Sequence, residues 1–280
     1  MSSKGFEIIQ IERIAPDIYD AKVTAPAVTL RAKAGQFVIV RVDDKGERIP
    51  LTLVDFSSDD GIIELIFQVV GTTTDKFSRM KAGDCLADVV GPLGHPTLVE
   101  RFGRVICVGG GVGIGAIYPI VRAMIEAGND MVVLLGARDR ERLILLERIE
   151  RLGVTVRTAT EDGSVGVRGL VTEILAEEIR SNCPDRVIAV GPLPMMKAVS
   201  DLTRDSRIPT VVSLNAIMLD GTGMCGTCRC EVGGKTKFSC VDGPEFDGHE
   251  VDFENLAVRL SAYKEEETVS WQRFKFHAGD

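Results

Sequence analysis

Arg104-Val-Ile-Cys-Val-Gly109-Gly-Gly-Val-Gly113-Ile-Gly115 decides the fold. Its apolar start reads as a buried strand, and the glycines lead into a helix expected over 116–127 and ended by Gly128. Strand, glycine-rich turn and helix is the geometry that lays a pyrophosphate on helix amides, with glycine wherever a side chain would block the approach. The spacing is close to G-x-G-x-x-G without copying it. The stretch 105–121 has nearly the length of a membrane span, but the five glycines within 109–115 fit a strand, a turn and a helix instead.

Downstream the pattern repeats. Met131–Gly136, Val154–Ala159 and Arg186–Val190 read as strands, each followed by a loop and a helix, expected over 141–151, 170–180 and 195–203. Such alternation predicts a doubly wound parallel sheet, whose ligands lie at the carboxyl ends of the strands. The candidate nucleotide-binding residues are therefore Gly109, Gly110, Gly111, Gly113, Gly115, Arg138, Asp139, Asp162, Gly191, Pro192 and Met195. An acidic residue near the end of the second strand suits a ribose 2′-hydroxyl and an arginine suits a 2′-phosphate; Arg138-Asp139 offers both.

Upstream, residues 6–96 alternate apolar and polar over short runs separated by Gly- and Asp-rich turns, which predicts a small antiparallel Greek-key barrel. One helix interrupts it, expected over 74–81 with Thr73 or Thr74 as its N-cap. The amides and hydroxyls of Gly71-Thr-Thr-Thr74 make a candidate phosphate seat.

Beyond the sheet comes Asp220-Gly-Thr-Gly-Met-Cys225-Gly-Thr-Cys228-Arg-Cys230, followed by Cys240. Clustered thiolates in a glycine-rich loop point to iron or zinc. With Asp220 standing for a first cysteine, the spacing is the X-x4-C-x2-C…C of a plant-type [2Fe–2S] site. A zinc ribbon would want a second C-x2-C pair. Asp220, Cys225, Cys228 and Cys240 form the preferred ligand set, and Cys225, Cys228, Cys230 and Cys240 the rival one. Gly233-Gly234 should turn a two-strand ribbon that brings Cys240 back to the other ligands. Cys85, Cys107 and Cys183 stand singly and read as small apolar residues.

The expected organisation is a barrel over 1–99, a nucleotide domain over 100–212, a cluster loop and ribbon over 213–250, and a tail over 251–280. In that tail, Trp271, Phe274 and Phe276 suggest docking onto another protein. A net charge of −8 without a basic tract argues against nucleic acid as a partner. With no apolar leader behind a basic start, and cysteines clustered for metal rather than disulfides, the expectation is a cytoplasmic protein without a membrane partner.

Taken with Ile49-Pro-Leu-Thr52, Gly91-Pro-Leu-Gly94, Asp162-Gly-Ser and Gly191-Pro-Leu-Pro-Met-Met196, these phrases resemble the ferredoxin–NADP reductase superfamily over the chain to about residue 250. Within it the likeness is to the branch that holds the electron-transfer subunit of dihydroorotate dehydrogenase B and the small subunit of the bifurcating NADH-dependent ferredoxin:NADP oxidoreductase. The resemblance implies FAD in the barrel, NADH (NADP(H) less so) on the second domain and a [2Fe–2S] cluster in the cysteine loop. It implies that Leu51 lies against the isoalloxazine with Thr52 near N5, as the two residues nearest the chemistry. Ile49 then takes the place of the family's phosphate-binding arginine, with Arg48 one position earlier and Pro50 between the two pairs. Ile66, Phe67 and Gln68 would run past the flavin, and Gly71, Thr73 and Thr74 would hold its phosphates.

Flavin would convert hydride pairs into single electrons for the cluster, which relays them to a large flavin/Fe–S partner subunit. Asp220, where the dihydroorotate branch looks to carry cysteine, favours the bifurcating enzyme. The alternatives are the dihydroorotate subunit itself and, from another class, a non-enzymatic zinc- and nucleotide-binding regulator.

Overall fold

The computed structural model describes residues 5–277. Its first unit comprises β1 (Phe6–Ala15), β2 (Ile18–Thr24), the short α1 (Pro26–Thr29), β3 (Phe37–Arg41), β4 (Arg48–Ser57), β5 (Ile62–Gln68), α2 (Thr72–Ser78), β6 (Cys85–Leu86) and β7 (Asp88–Leu93). The strands pair antiparallel in the order β6-β1-β2-β5-β4-β3-β7, a nearly closed barrel. Ile8, Ala21, Val23, Val38, Leu53, Ile63 and Leu65 fill its interior. Phe67 stacks on Phe77 with ring centroids 4.4 Å apart, which ties β5 to α2.

α2 starts two residues earlier than expected, with Gly71 rather than a threonine as N-cap. Thr74 causes the difference: its hydroxyl accepts the Gly71 amide at 3.1 Å and the Val70 amide at 3.0 Å, closing the helix start from inside the first turn.

The second unit comprises β8 (Arg104–Gly110), α3 (Gly113–Glu126), β9 (Asp130–Ala137), α4 (Leu146–Glu150), β10 (Thr155–Thr160), β11 (Val167–Arg168), α5 (Val171–Ser181), β12 (Arg186–Val190), α6 (Leu193–Arg204) and β13 (Thr210–Ser213). The sheet order is β11-β10-β9-β8-β12-β13, all parallel, and β16 (Glu245–Asp247) adds an antiparallel edge beside β13. That edge, contributed by chain beyond the cysteine loop, is absent from the expectation. The helix expected over 141–151 is a 3₁₀ turn, Arg140–Arg142, followed by α4. Asp139 caps the 3₁₀ turn, and Leu145, at φ +57°, separates the two pieces.

Between β13 and β16 lies the cysteine loop with its ribbon, β14 (Arg229–Val232) and β15 (Lys235–Phe238), turned at Gly233-Gly234 as expected. This region has no core of its own. Met218, Cys228, Cys230 and Cys240 pack in one cluster with Ile39 of the barrel and Val212 and Phe246 of the sheet. Then come α7 (Phe253–Ser261) and α8 (Lys264–His277). α8 lies across α2 of the same chain: Trp271 Nε1 donates to Asp75 at 3.4 Å, and Phe274 sits beneath Arg79 at 5.5 Å. The tail thus uses Trp271 and Phe274 within the chain, a use the sequence reading did not anticipate.

Barrel and sheet domain meet along α3. Its Gly115 approaches Val54 and Ile66 so closely that an added Cβ would lie 3.3 Å from Val54. One turn or more along, Arg122 of α3 pairs with Asp55 at 2.7 Å, and Arg148 of α4 bridges Asp55 and Glu64, both at 2.5 Å. Among the described residues no helix is long and apolar enough to cross a membrane.

Candidate flavin–nucleotide cavity and cluster loop

A cavity of ≈ 970 Å³ opens between the barrel, the carboxyl ends of the parallel strands and the start of the cysteine loop. The barrel contributes Ile49, Pro50, Leu51, Thr52 and Val54 from β4, and Ile66, Phe67 and Gln68 from β5, with Thr74 at the far end. The sheet domain contributes Gly110, Gly111, Val112, Gly113, Arg138, Gly191, Pro192 and Met195. A wall of Ser213, Leu214, Asn215, Ala216, Met218 and Pro244 completes it.

Two glycines of the strand-to-helix turn are required for different reasons. Gly113 admits no side chain, since a Cβ would lie 2.4 Å from the Val190 carbonyl oxygen. Gly111, at φ +55°, has open space where a Cβ would be, so its backbone is bare toward the cavity. No side chain caps α3 at Val112; the Ile114 and Gly115 amides turn back to the Gly111 and Val112 carbonyls at 3.2 and 3.0 Å, which leaves the Val112 and Gly113 amides for an anion from the cavity. A pyrophosphate fits this turn.

Several expected residues lie off the cavity wall. Gly109 and Gly115 pack against Ile117 and against Val54 with Ile66, respectively, and serve helix–sheet and helix–barrel contact. Arg48 is exposed and 3.9 Å from Asp88. Asp139 and Asp162 are turned onto their own loops: Asp139 takes the Arg142 amide at 3.1 Å, and Asp162 takes the Ser164 amide at 2.9 Å. At the helix seat the Thr73 hydroxyl donates to Glu47 at 3.4 Å, while the buried Thr72 Oγ1 has no partner among the described residues. That orphaned hydroxyl lies in the first turn of α2, which also puts Thr74 on the cavity wall, and the apolar slot of Ile49, Leu51 and Ile66 on the same wall fits a flavin ring.

Glu161, in the loop after β10 that the carboxyl-end rule puts on the ligand face, lines the cavity, and residues outside the expected set include Arg142, Asn215, Ala216 and Met218. Asn215 follows the strand end β13, so the same rule would have found it. Ala216 and Met218 follow no motif.

In the cysteine loop the Cys228 and Cys240 sulfurs are 3.1 Å apart. Burial, aided by the contact with Cys228, pushes the Cys240 thiol up to about 12, so metal binding there must displace protons. Burial also raises the Cys225 thiol, but the Thr227 hydroxyl and amide outweigh it and hold the pKa below the usual thiol range. Asp220 accepts the Cys225 amide at 2.8 Å and the Thr222 amide at 2.9 Å. Cys230 alternates inward on β14 and faces the Lys237 carbonyl at 3.8 Å. Arg259 of α7 donates to the Thr227 carbonyl at 3.2 Å and holds the Cys225–Cys228 turn from behind. Among the described residues no three His, Cys, Asp or Glu side chains stand at metal-binding distance of one another. The donors nevertheless fit an iron–sulfur cluster: paired thiols, a third low-pKa thiol and a carboxylate come from one glycine-rich loop and the end of the ribbon that follows it.

Comparison with known proteins agrees with this geometry. Residues 215–252 match the family described as the iron–sulfur cluster binding domain of dihydroorotate dehydrogenase B, and residues 107–201 match the oxidoreductase NAD-binding domain. A dihydroorotate dehydrogenase B (NAD(+)) electron transfer subunit homolog of Thermotoga maritima is 46% identical over 98% of this chain and 97% of its own length. The electron transfer subunit of Desulforamulus reducens is 30% identical over 90% of this chain and all (100%) of its own. A solved structure described as giving insights into flavin-based electron bifurcation, that of the NADH-dependent reduced ferredoxin-NADP oxidoreductase, superposes with a TM-score of 0.92 at 44% identity, covering 98% of this chain and 99% of that one. A Neisseria gonorrhoeae ferredoxin NADP+ reductase with bound FAD and NADP shares the fold, with a TM-score of 0.60 at 17% identity over 72% of this chain and 90% of that one. The chain belongs to the family of dihydroorotate dehydrogenase B electron-transfer subunits and their homologues, ferredoxin–NADP reductase-like oxidoreductases that use NAD(H), FAD and a [2Fe–2S] cluster.

Proposed function

We propose that this chain is the small subunit of a cytoplasmic, electron-bifurcating NADH-dependent ferredoxin:NADP+ oxidoreductase, passing electrons between NADH and a large flavin/Fe–S partner subunit. The observation that carries the electron-transfer part is a shared wall. Ala216 lines the main cavity and also a second one of ≈ 490 Å³ bounded by Cys225, Thr227 and Arg259, so one short segment separates the flavin slot from the cluster loop. FAD bound there supplies the exchange of a hydride for two single electrons.

The chain's own residues do the positioning. Leu51 and Thr52 offer an apolar face and a hydroxyl where the isoalloxazine would lie, and Gln68 borders the same slot. The amides of Val112 and Gly113 hold the nucleotide pyrophosphate, and Pro192 and Met195 wall the nicotinamide end. Asp220, Cys225, Cys228 and Cys240 hold the cluster, with Cys230 kept in the core. A carboxylate among the ligands changes the cluster's charge and hydrogen bonding, both of which set its potential.

Asp220 and the 44% identity across the whole chain to the bifurcating enzyme's structure support this reading over the dihydroorotate subunit. The names of the relatives favour the latter as the second reading. Anaerobic purification, followed by NADH titration watched by visible absorption and EPR, separates them. One flavin band bleached by NADH, one [2Fe–2S] signal and a co-purifying large flavin/Fe–S subunit are expected. A co-purifying orotate-forming flavoprotein would replace the first reading by the second.

A further inference from the structure

The rim of the cavity at the ends of β9 and β10 carries two arginines and one glutamate on its wall: Arg138, Arg142 and Glu161. Asp139, between the arginines in sequence, is not on that wall. Its Oδ1 accepts the Arg142 amide at 3.1 Å, and its Oδ2 takes the Arg142 guanidinium in a charge-assisted hydrogen bond. The two side chains are similarly half-buried, at 29% and 27% exposure, so the pair is only partly screened by water.

The rim is also stiff. Asp162 donates its amide to the Arg138 carbonyl at 3.1 Å, and its carboxylate binds the Ser164 hydroxyl at 2.7 Å. The same hydroxyl oxygen accepts the Arg140 amide at 2.9 Å, stitching the loop after β9 to the loop after β10. Charge on the rim is therefore balanced: Glu161 offsets Arg138 in net charge along the wall, and Asp139 binds the Arg142 guanidinium from behind it.

We propose that Asp139 sets the preference for NADH over NADPH indirectly, as a positioning residue that binds the Arg142 guanidinium and so keeps a fork-shaped phosphate ligand from the adenosine 2′ position. A ribose 2′-hydroxyl meets a rim of zero net charge without penalty. A 2′-phosphate gains little from that rim, because one guanidinium is already spent on a carboxylate and the charge of the other is offset by Glu161 on the same wall. This rests on the reading of the cavity as a nicotinamide nucleotide site.

The test is calorimetric titration of the FAD- and cluster-loaded protein with NADH and NADPH separately, for wild type, Asp139→Asn and Asp139→Asn/Arg142→Ala. Asparagine keeps an oxygen for the Arg142 amide and removes only the charge. The ratio of NADPH to NADH affinity should rise about tenfold or more in Asp139→Asn, the scale of one charge-assisted hydrogen bond, and fall back in the double variant. An unchanged ratio, or a rise that survives removal of Arg142, overturns the proposal. So does a tenfold loss of NADH affinity without a gain for NADPH, which would make Asp139 a direct ribose ligand. Wild-type protein that binds neither nucleotide would instead overturn the site reading on which the proposal stands.

Discussion

The cavity and the cluster loop are adjacent, share Ala216 as a wall and are built by opposite means. The cavity is lined by the ends of strands that are hydrogen-bonded on both sides, so its shape is carried by two sheets. Residues 214–228 contain neither helix nor strand, and Gly221, Gly223 and Gly226 take left-handed backbone there. Ligands for a nucleotide can wait on a rigid sheet. Ligands for a cluster meet where thiolate– and carboxylate–metal bonds complete the arrangement, so metal binding stabilises the loop that supplies them.

The comparison is broken most directly at the thiols. Cys228→Ser should remove the [2Fe–2S] visible and EPR signals altogether while FAD content stays at the wild-type level. Cys230→Ser should keep the signals, and their loss in Cys230→Ser as well as in Cys228→Ser would restore the rival ligand set containing Cys230. If flavin were lost with the cluster, the two regions would not be independent.

On the cavity side the largest mechanical element is the clamp of Arg148 on Asp55 and Glu64. The Glu64 side chain is only 7% exposed, so Arg148→Met leaves a buried carboxylate beside Asp55 without its cation. Burial, followed by the charge of Glu64, already pushes the neighbouring Asp20 up to about 7. Chemical denaturation should show a loss of about 2–3 kcal/mol, with partial rescue by Arg148→Lys. A loss below about 0.5 kcal/mol would mean that the Arg148 ion pairs contribute little to holding α4 against the barrel.

A smaller effect belongs to the joint between the regions, where Thr97 at the barrel exit donates to Glu245 of β16 at 2.6 Å. Burial raises the Glu245 carboxyl from 4.5 to about 7, although the Thr97 hydrogen bond lowers it. The folded protein therefore holds this proton more tightly than the unfolded chain does. The resulting stability is complete below pH 4.5, declines as pH rises and is gone above about pH 7. Glu245→Gln should be close to neutral in stability at pH 5 and stabilising by about 1–2 kcal/mol at pH 8, read from thermal or denaturant unfolding at the two pH values. A variant equally stable relative to wild type at both would show Glu245 ionised throughout.

Much of this architecture is legible from residue patterns. Alternation in 6–96 and the strand–turn–helix repeat from Arg104 reflect which faces must be buried, a property of local order in the chain. The spacing of Asp220, Cys225, Cys228 and Cys240 names a cluster because thiolate chemistry and glycine freedom are themselves local.

Side-chain partners and long-range returns of the chain are a different matter. Whether Asp139 faced a ribose or Arg142 depended on a 3₁₀ turn that the helical pattern over 141–151 concealed. Arg48, one residue from the cavity wall at the start of β4, lies off it, exposed and 3.9 Å from Asp88. Trp271 met Asp75 from 196 residues away, and β16 closed the edge of a sheet whose other strands end before the cysteine loop begins. The sequence by itself determined the elements, their order and the metal chemistry, because these follow from periodicity and donor type. Tertiary structure alone decided which charges face the cavity and which cancel one another, because pairing energy depends on distances between residues whose separation along the chain carries no such information.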